Sequence, residues 1–458
     1  MSATTTPRVL VANRGEIAVR IIRAAHTLGW EAVAVYSDAD AEARWVTLAD
    51  EAVHIGPAPA RRSYLDIDAI LQAAKDSGST YVHPGYGFLS ERPEFARRVS
   101  EAGLTFVGPS AEVIESMGDK ALARQTAERA GVPVVPGSGV LEDASQARAA
   151  AEELGFPVLV KAASGGGGRG IRVVASPAEL DDAVGTAQAE ASSAFGDGSV
   201  YLERSIVGAR HIEVQVLADA EGSALHLFER DCSVQRRRQK LVEEAPAPGL
   251  SPSLREEITT AAVRLTAAVG YRGAGTVEFL VEGERFYFIE MNTRIQVEHP
   301  ITEMVTGVDL VAEQLRIAAG EPVSVTQEEI TLRGVAMEFR INAEDPDQDF
   351  FPSPGEITRF DPPNGPGVRV DSGFVAGGAI APYYDSLLAK VIVHGRDRAE
   401  AMARATQALT ELTVDGVTTT RGLHLALLQE PDLREGAVST TWFEEREQSP
   451  EPSESSGT

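Results

Sequence analysis

The chain has 458 residues, of which 43% are hydrophobic and 24% are charged, a composition typical of a globular protein with roughly two to four domains. Its formal net charge of −26 at pH 7 argues against nucleic acid and anionic membranes as partners, because either would require a basic face. The single cysteine, Cys232, excludes an internal disulfide framework, and no apolar leader or run of about 18 apolar residues occurs, so we expect a cytoplasmic protein without a membrane span.

The N-terminal segment has the pattern of a strand, a helix and a second strand, at residues 8–12, 16–28 and 31–36. This unit is Rossmann-like, but its first turn, residues 13–16, has one glycine where a dinucleotide site has three, so no nicotinamide cofactor is predicted. A helix at 66–76 and a strand at 80–82 follow. A glycine-rich loop, residues 83–91, lies at the carboxyl end of that strand, where open α/β sheets bind ligands.

After a helix predicted over residues 111–130, a second glycine-rich loop separates predicted strands at 157–161 and 171–174. Residues 165–170 match G-x-G-x-x-G, but a dinucleotide fingerprint leads into a helix, and no G-x-x-x-x-G-K-[ST] motif occurs. We interpret the loop as a lid whose backbone amides fold over phosphates; a plain hairpin tip is the alternative.

Strands predicted at 200–204, 211–216 and 225–230 lead into a basic segment, residues 231–240. Such a run is usually a solvated surface, but in a chain this acidic we favour a local anion site.

Lysine is rare in this sequence. Among 42 cationic residues the lysines are Lys75, Lys120, Lys161, Lys240 and Lys390. A compact ammonium that reaches a phosphate as a point charge is one reason to retain lysine where arginine is otherwise used.

The chemistry is predicted to lie in residues 275–300. Strands predicted at 276–281 and 285–291 are joined by a short loop centred on Gly283, which indicates a hairpin.

That turn sets Glu278 opposite Phe288, and Thr276 opposite Glu290, so the two carboxylates are expected to be diagonal neighbours about 7–8 Å apart at Cα. Apolar residues accompany them, and both faces of the hairpin, including Ile289, are predicted to be buried. A buried carboxylate pair calls for a cation such as Mg²⁺, and a solvated hairpin face is the alternative.

Beyond the hairpin, four polar side chains alternate along a predicted extended segment and project to one side: Asn292, Arg294, Gln296 and Glu298. A guanidinium suits a small planar oxyanion, and an adjacent carboxylate can serve as its general base. An anion that requires a nearby base suggests bicarbonate.

The rest of the chain predicts a further domain. It has helices at 308–319 and 398–412, and strands at 335–342, 355–360, 367–371 and 386–394. Residues 444–458 are acidic, rich in serine and proline, and predicted to be disordered.

Several motifs follow one another along the chain. They are Val-Ala-Asn-Arg-Gly-Glu-Ile at 11–17, His-Pro-Gly-Tyr-Gly-Phe-Leu-Ser-Glu at 83–91, Met-Gly-Asp-Lys at 117–120, the glycine lid, Glu-Arg-Asp-Cys-Ser at 229–233, Val-Glu-Glu-Ala-Pro-Ala-Pro at 242–248, Glu-Met-Asn-Thr-Arg-Ile-Gln-Val-Glu-His-Pro at 290–300, and Arg-Ile-Asn-Ala-Glu-Asp at 340–345. In this order they resemble the biotin carboxylases of the ATP-grasp superfamily over about residues 8–443.

The resemblance implies an α/β (α+β) fold with a Rossmann-like pre-ATP-grasp domain at 1–115 and an ATP-grasp domain at 116–328, whose glycine-rich lid spans about 132–204. A mixed α/β C-terminal domain at 329–446 and a disordered acidic tail at 447–458 complete the expected organisation. The implied activity is that of an ATP-dependent ligase, which carboxylates biotin with bicarbonate through carboxyphosphate. This is the first half-reaction of an acetyl-CoA or acyl-CoA carboxylase in fatty acid biosynthesis.

The resemblance also implies a role for each matching residue. Those at ATP are Lys120, Lys161, His211, Gln235 and Lys240, the lid residues Gly165, Gly166, Gly167 and Gly168, and, at the adenine, Glu203 and the Ile206 backbone. Those at Mg²⁺ or Mn²⁺ are Glu278, Glu290 and Asn292. Those at bicarbonate are Arg294, Gln296 and the Val297 amide, with Glu298 as general base. Those at biotin are Arg340, which stabilises its enolate, and Tyr86. The implied catalytic set is Lys240, Arg294, Glu298 and Arg340.

The sequence has no Ala-Met-Lys-Met biotinylation motif, so the resemblance implies biotin carried by a separate protein and a carboxyltransferase as a further partner. A homodimer is compatible with it, although Thr27 and Pro366 replace residues that help form the dimer interface in some relatives. Arg204 and Arg238 also differ from residues common in relatives, so nucleotide contacts there are expected to differ.

Two alternatives remain at this point. Another ATP-grasp ligase would activate a larger carboxylate, which would require more room than the segment from Arg294 to Glu298 offers. A nucleotide-binding subunit without catalysis would be expected to lack some of the acid, base and cation residues that this chain retains.

Overall fold

The computed structural model describes residues 6–141, 144–162, 171–195, 198–436 and 438–448. Strands and helices alternate in the first part of the chain, as the sequence predicts. They are β1 Arg8–Val11, α1 Gly15–Thr27, β2 Glu31–Ser37, α2 Arg44–Leu48, β3 Glu51–Gly56, α3 Ile67–Asp76, β4 Tyr81–His83, α4 Pro93–Glu101 and β5 Thr105–Phe106.

These strands form a parallel sheet in the order β3-β2-β1-β4-β5. The order reverses beside β1, and crevices at such a reversal are where open α/β sheets bind ligands. Two loops are tied together there, because the Asn13 side chain donates to the carbonyls of Pro84 and Tyr86, each at 2.7 Å. The glycine-rich loop at 83–91 therefore lies where the sequence predicts.

The helix predicted over residues 111–130 is two helices, α5 Ala111–Gly118 and α6 Lys120–Arg129. Asp119 has an extended conformation between them, and its carboxylate caps α6 by accepting from the Leu122 amide at 2.9 Å. An aspartate at this position competes with the helix for backbone donors, which explains the break.

A small antiparallel sheet in the order β7-β6-β8 follows. Its elements are α7 Ala144–Leu154, β6 Val158–Ala162, β7 Ile171–Val174, α8 Pro177–Phe195 and β8 Val200–Arg204. The predicted antiparallel pairing on either side of the glycine-rich loop is confirmed, whereas Gly165, Gly166, Gly167 and Gly168 lie outside the described residues.

The largest sheet has eight strands in the order β13-β12-β9-β10-β11-β14-β21-β19. Six of its strands, and the helices between them, are β9 Arg210–Ala218, β10 Ala224–Arg236, β11 Gln239–Ala245, α9 Pro252–Ala268, β12 Gly273–Glu282, β13 Arg285–Asn292, α10 His299–Thr306, α11 Leu310–Ala318 and β14 Val335–Asn342. The pairing of β11 with β14 continues the sheet into the C-terminal part of the chain.

The C-terminal part contributes short strands and helices. They are β15 Glu344–Asp345, β16 Phe351–Pro352, β17 Gly355–Glu356, β18 Arg359–Asp361, β19 Val368–Ser372, β20 Ala379–Ile380, β21 Leu387–Gly395, α12 Arg398–Glu411, β22 Thr413–Asp415, α13 Arg421–Leu427, α14 Pro431–Glu435 and α15 Trp442–Gln448.

Two predictions for this part are wrong. The single strand predicted at 355–360 is divided, because β17 pairs with β20 while β18 pairs with β22. Residues 444–448 are helical rather than disordered, and the predicted tail beyond them lies outside the described residues. The face of α15 that carries Phe443 is buried in the C-terminal core, which explains why an acidic segment is ordered here. Within the described ranges, no helix is long and apolar enough to cross a bilayer.

Candidate active site

Glu278 and Glu290 are direct cross-strand partners rather than the predicted diagonal neighbours. The turn does lie at Gly283, as predicted, and Glu282 pairs with Arg285. The register shifts by one residue between Glu278 and Phe279, which leaves Ile289 as an extra residue of β13. This β-bulge re-aims the end of the strand, so that both carboxylates project from one face.

Because of the same bulge, the predicted positions of the apolar residues of β13 are wrong. Phe286 and Phe288 lie on the opposite face from the carboxylates, packed with Phe279 in the core. Ile289 is 37% exposed instead of buried. Contrary to the prediction from the sequence, Phe286 and Phe288 therefore do not cover the carboxylate pair.

The two carboxylates have different environments. Glu278 accepts from Asn292 Nδ2 at 2.7 Å and lies 3.1 Å from His211 Nε2. Burial by itself would raise the pKa of Glu278, but Lys240 and His211 outweigh it and hold the pKa well below its usual range. Burial, followed by the charge of Glu278, raises the pKa of Glu290.

Oxygen donors with excess negative charge suit a divalent cation. The pair formed by Glu278 and Glu290, with the Asn292 side chain beside it, meets that requirement. These residues therefore indicate a site for Mg²⁺ or Mn²⁺ rather than a solvated hairpin face.

Lys240 stands at the centre of a buried acidic cluster. Its ammonium lies 2.5 Å from Glu298, 2.6 Å from Glu213 and 3.4 Å from Glu278. Two sets of side chains here are close enough to hold a metal ion, His211 with Glu213 and Glu278, and Cys232 with Glu213 and Glu298, but the ammonium already neutralises much of the acidic charge. Arg236 and Arg237, from the same basic segment, pair instead with Asp349.

Glu213 and Arg230 were not singled out from the sequence, yet both are fully buried at the base of this cluster. Arg230 Nε donates to Glu213 at 2.6 Å, and its Nη2 donates to Gln296 Oε1 at 2.7 Å. The signal was present in β9, where His211, Glu213 and Gln215 alternate with apolar residues after the initial Arg210.

The segment after the hairpin is irregular rather than extended, so its polar side chains reach different partners. Arg294 Nε donates to Glu91 at 2.9 Å, and its Nη2 donates to Asn292 at 3.0 Å. Gln296 Nε2 donates to Glu278 at 2.9 Å. Turns in the segment bring these groups together around the hairpin carboxylates, which a straight strand could not do.

Glu298 is held by cations from two strands. Lys240 is on β11, and Arg340, on β14, approaches Glu298 to 3.1 Å while its Nε donates to Glu243 at 2.6 Å. Burial alone would raise the pKa of Glu298, but Lys240 and Arg340 hold it well below the usual range. Glu243, which the sequence did not indicate, has a pKa raised by burial to about 7.

The residues predicted for the nucleotide fall into smaller groups. Lys161 contacts Glu203 across the small sheet, and Arg124 lies 3.3 Å from the same carboxylate. Gln235 is paired with Lys240 where β10 meets β11, so it adjoins the acidic cluster. The remaining positions are Lys120, at the start of α6, and Ile206, after β8. The Lys120 ammonium makes no hydrogen bond to another described residue.

Tyr86, predicted to lie near biotin, donates its hydroxyl to Glu16 at the start of α1. Burial and the charge of Glu16 raise the pKa of this phenol well above its usual value, so the hydroxyl remains protonated.

A Rossmann-like unit, a small antiparallel sheet with a glycine-rich loop, and a larger antiparallel sheet that ends in a carboxylate hairpin define an ATP-grasp ligase. Family models agree along the chain: residues 5–114 match the biotin carboxylase N-terminal domain, 119–326 the ATP-binding domain of the carbamoyl-phosphate synthase L chain, and 338–445 the biotin carboxylase C-terminal domain.

Individual relatives are similar over nearly their whole length. The biotin carboxylase of Pseudomonas aeruginosa is 55% identical over 441 residues, covering 96% of this chain and 98% of the relative. Biotin carboxylase 1 of Bacillus subtilis is 52% identical, covering 95% and 98%. The chain belongs to the biotin carboxylase family.

Solved structures show the same fold. A Campylobacter jejuni biotin carboxylase in complex with β,γ-ATP superposes with a TM-score of 0.92 at 44% identity, covering 97% of this chain and all of that chain. The biotin carboxylase domain dimer of Hydrogenobacter thermophilus 2-oxoglutarate carboxylase, in complex with MgADP, ADP and bicarbonate, gives 0.90 at 49% identity, covering 96% and 97%.

Proposed function

We propose that this chain carboxylates biotin in an ATP-dependent reaction with bicarbonate, through carboxyphosphate. The observation that carries the proposal is the buried Glu298 carboxylate held between Lys240 and Arg340. A base flanked by two cations suits a small anion that must lose a proton and attack a phosphate.

ATP is bound between the small sheet and the large one. Its phosphates are contacted by Lys120, Lys161, His211, Lys240 and the lid amides, while Glu203, the Ile206 backbone and Gln235 hold the nucleoside side. The contact between Lys161 and Glu203 supports this, since it places a cation and an acceptor at one edge of the small sheet. Glu278, Glu290 and Asn292 hold Mg²⁺ or Mn²⁺, which neutralises charge on the phosphate oxygens.

Bicarbonate lies against Arg294, Gln296 and the Val297 amide, with Glu298 as its base. The low pKa of Glu298 keeps it ionised in the free protein. When phosphate charge draws the Lys240 ammonium away, the cation that most lowers this pKa is removed, so Glu298 becomes more basic at the moment it is required.

Deprotonated bicarbonate attacks the γ-phosphorus and displaces ADP, which gives carboxyphosphate. Carboxyphosphate breaks down to CO₂ and phosphate, the phosphate takes the ureido proton of biotin, and the ureido nitrogen bonds to CO₂. Arg340 stabilises the biotin enolate and Tyr86 lies beside it. Closure of the lid excludes water that would hydrolyse the intermediate.

The partners are a biotin carrier protein and a carboxyltransferase. Relatives occur in more than one carboxylase, including a pyruvate carboxylase of Methanothermobacter thermautotrophicus, one subunit of which is 50% identical to this chain. The acceptor of the carboxyl group is therefore set by the partner, and acetyl-CoA or another acyl-CoA is the expected class. A homodimer is proposed from the dimeric Hydrogenobacter domain, and sedimentation of the purified chain tests it.

The experiment that tests this function is ADP release with Mg²⁺, with and without bicarbonate, and with and without free biotin. Turnover is expected to require bicarbonate and to rise with biotin. Glu298→Gln is expected to bind ATP but to lose this turnover, while Glu257→Gln, at an exposed position of α9, keeps it. Turnover indifferent to both substrates would contradict the proposal and favour another carboxylate ligase.

A further inference from the structure

A lysine that the proposed ATP contacts do not include is buried behind the bicarbonate segment. Lys390, in the middle of β21, has no exposed surface. Its ammonium donates to the Val297 carbonyl at 2.8 Å and lies 3.1 Å from Glu16. A charge carried this far into a protein must be compensated by partners, and Lys390 has them on two sides.

Three consecutive residues of the bicarbonate segment are each held by a different buried cation. Arg230 donates to Gln296 at 2.7 Å, Lys390 to the Val297 carbonyl, and Lys240 to Glu298 at 2.5 Å. The segment is irregular and has no strand partner, so these bonds fix its conformation in place of a sheet ladder. Lys390 is the member that acts on the backbone, through the peptide group that joins Val297 to Glu298.

The second partner of Lys390 leads to the opposite wall of the site. Glu16, beside the ammonium, accepts the hydroxyl hydrogen bond of Tyr86. One ammonium thus connects the segment proposed to bind bicarbonate with the loop proposed to lie near biotin. The ion pair between Lys390 and Glu16 crosses from the large sheet to the first unit, and among the described residues no strand pairing joins their two sheets.

Resting on the proposed function, we infer that Lys390 is a positioning residue that sets the distance between bound bicarbonate and bound biotin. It does so by fixing the Val297–Glu298 peptide on one side and the Glu16–Tyr86 pair on the other. An ammonium is a compact point charge whose three donors are tetrahedrally arranged, so it suits one carbonyl and one carboxylate on different sides, whereas the guanidinium of arginine is larger and planar. This accounts for a lysine in a chain that otherwise uses arginine.

The test compares Michaelis constants for ATP, bicarbonate and biotin in charge-matched variants. Lys390→Met combined with Glu16→Gln removes the cation together with the nearest buried acid, while Asp371, 3.9 Å from the ammonium, keeps Arg369 as its partner. We expect the KM for bicarbonate and for biotin to rise at least about tenfold. The KM for ATP is expected to stay within about twofold, because Lys390 does not contact the proposed nucleotide residues. Lys75→Met, the same change at an exposed position of α3, is the control.

Glu16→Gln by itself decides the matter if the double variant does not fold. The ammonium still reaches the Val297 carbonyl in this variant, so the KM for bicarbonate is expected to hold, while the KM for biotin rises because Tyr86 loses a charged acceptor. An equal rise for all three substrates, or no change in a folded variant, overturns the inference. Absence of bicarbonate-dependent turnover in the unmodified chain overturns the proposed function instead, and the inference with it.

Discussion

Glu290 makes no hydrogen bond or ion pair within the part of the chain that the structure describes, although Glu278 opposite it is fully engaged. Replacing Glu290 with glutamine removes one negative oxygen donor without changing the shape of the hairpin. We expect binding of Mn²⁺ in the presence of ADP to weaken at least about tenfold, measured by titration calorimetry. Glu284→Gln, at the exposed turn of the same hairpin, is the control, and equal affinity in both variants would contradict the assignment.

His424 provides a prediction on pH and stability. It is fully buried, and its Nε2 lies 2.7 Å from the Arg340 carbonyl. Burial lowers its pKa to about 4, against 6.5 for an unburied histidine. Between these two pKa values the unfolded chain binds a proton at His424 that the folded chain does not bind. The contribution of neutral His424 to the free energy of unfolding, about 3 kcal/mol at most, is therefore complete above pH 6.5 and is lost as the pH falls toward 4.

His424→Gln keeps a donor for the Arg340 carbonyl but cannot take up a proton. Its thermal midpoint is expected to fall less than that of the unmodified chain between pH 7 and pH 5. His54→Gln, at an exposed position, is the control. If the thermal midpoints of the variant and the unmodified chain fell by the same amount between pH 7 and pH 5, His424 would not take up a proton on unfolding.

At the scale of elements, the turn between β10 and β11 is strained. Arg237 and Arg238 have φ values of +47° and +68°, in a two-residue loop of the kind that favours Asn-Gly. Arg238→Gly is expected to raise the free energy of unfolding by up to about 1 kcal/mol, because glycine adopts this conformation without a clash. Urea denaturation measures it, and a loss of stability would show that the Arg238 side-chain contacts outweigh the strain.

The hairpin of β12 and β13 shows what a sequence pattern can indicate about an element. Alternating apolar residues on either side of Gly283 predict both strands and the turn. The bulge at Ile289 is not visible in the pattern, since inserting one residue reverses every face beyond it. The sequence therefore predicted that the two carboxylates are neighbours, but it did not predict that they are direct cross-strand partners.

At the scale of the molecule, the first and last parts of the chain meet backbone to backbone. A Cβ atom on Gly373, which follows β19, would lie 2.5 Å from the Gly15 carbonyl carbon at the start of α1. Gly373→Ala is expected to lower the free energy of unfolding by about 1–3 kcal/mol and to displace Glu16 from Lys390. Gly422→Ala, in α13, is the control for calorimetry, because the added Cβ would meet no atom within 4 Å outside the backbone of its own helix and its chain neighbours. Equal melting temperatures in the two variants would mean that the backbone around Gly373 and Gly15 accommodates the added methyl group without a loss of stability.

The sequence by itself determined the local elements, the carboxylate hairpin, the glycine-rich loops and, through its motifs, the family. These depend on residue periodicity and on turn chemistry within a few positions, which a linear reading can recognise.

The tertiary structure decided which buried charges meet. Arg340 reaches Glu298 because β14 pairs with β11, and the approach of α1 to β21 places Lys390 between Glu16 and Val297. Such contacts join residues far apart in the chain, and their geometry is set by register, bulges and packing between sheets. The sequence alone could not predict these contacts, because the role of a buried charged residue depends on which partner lies beside it.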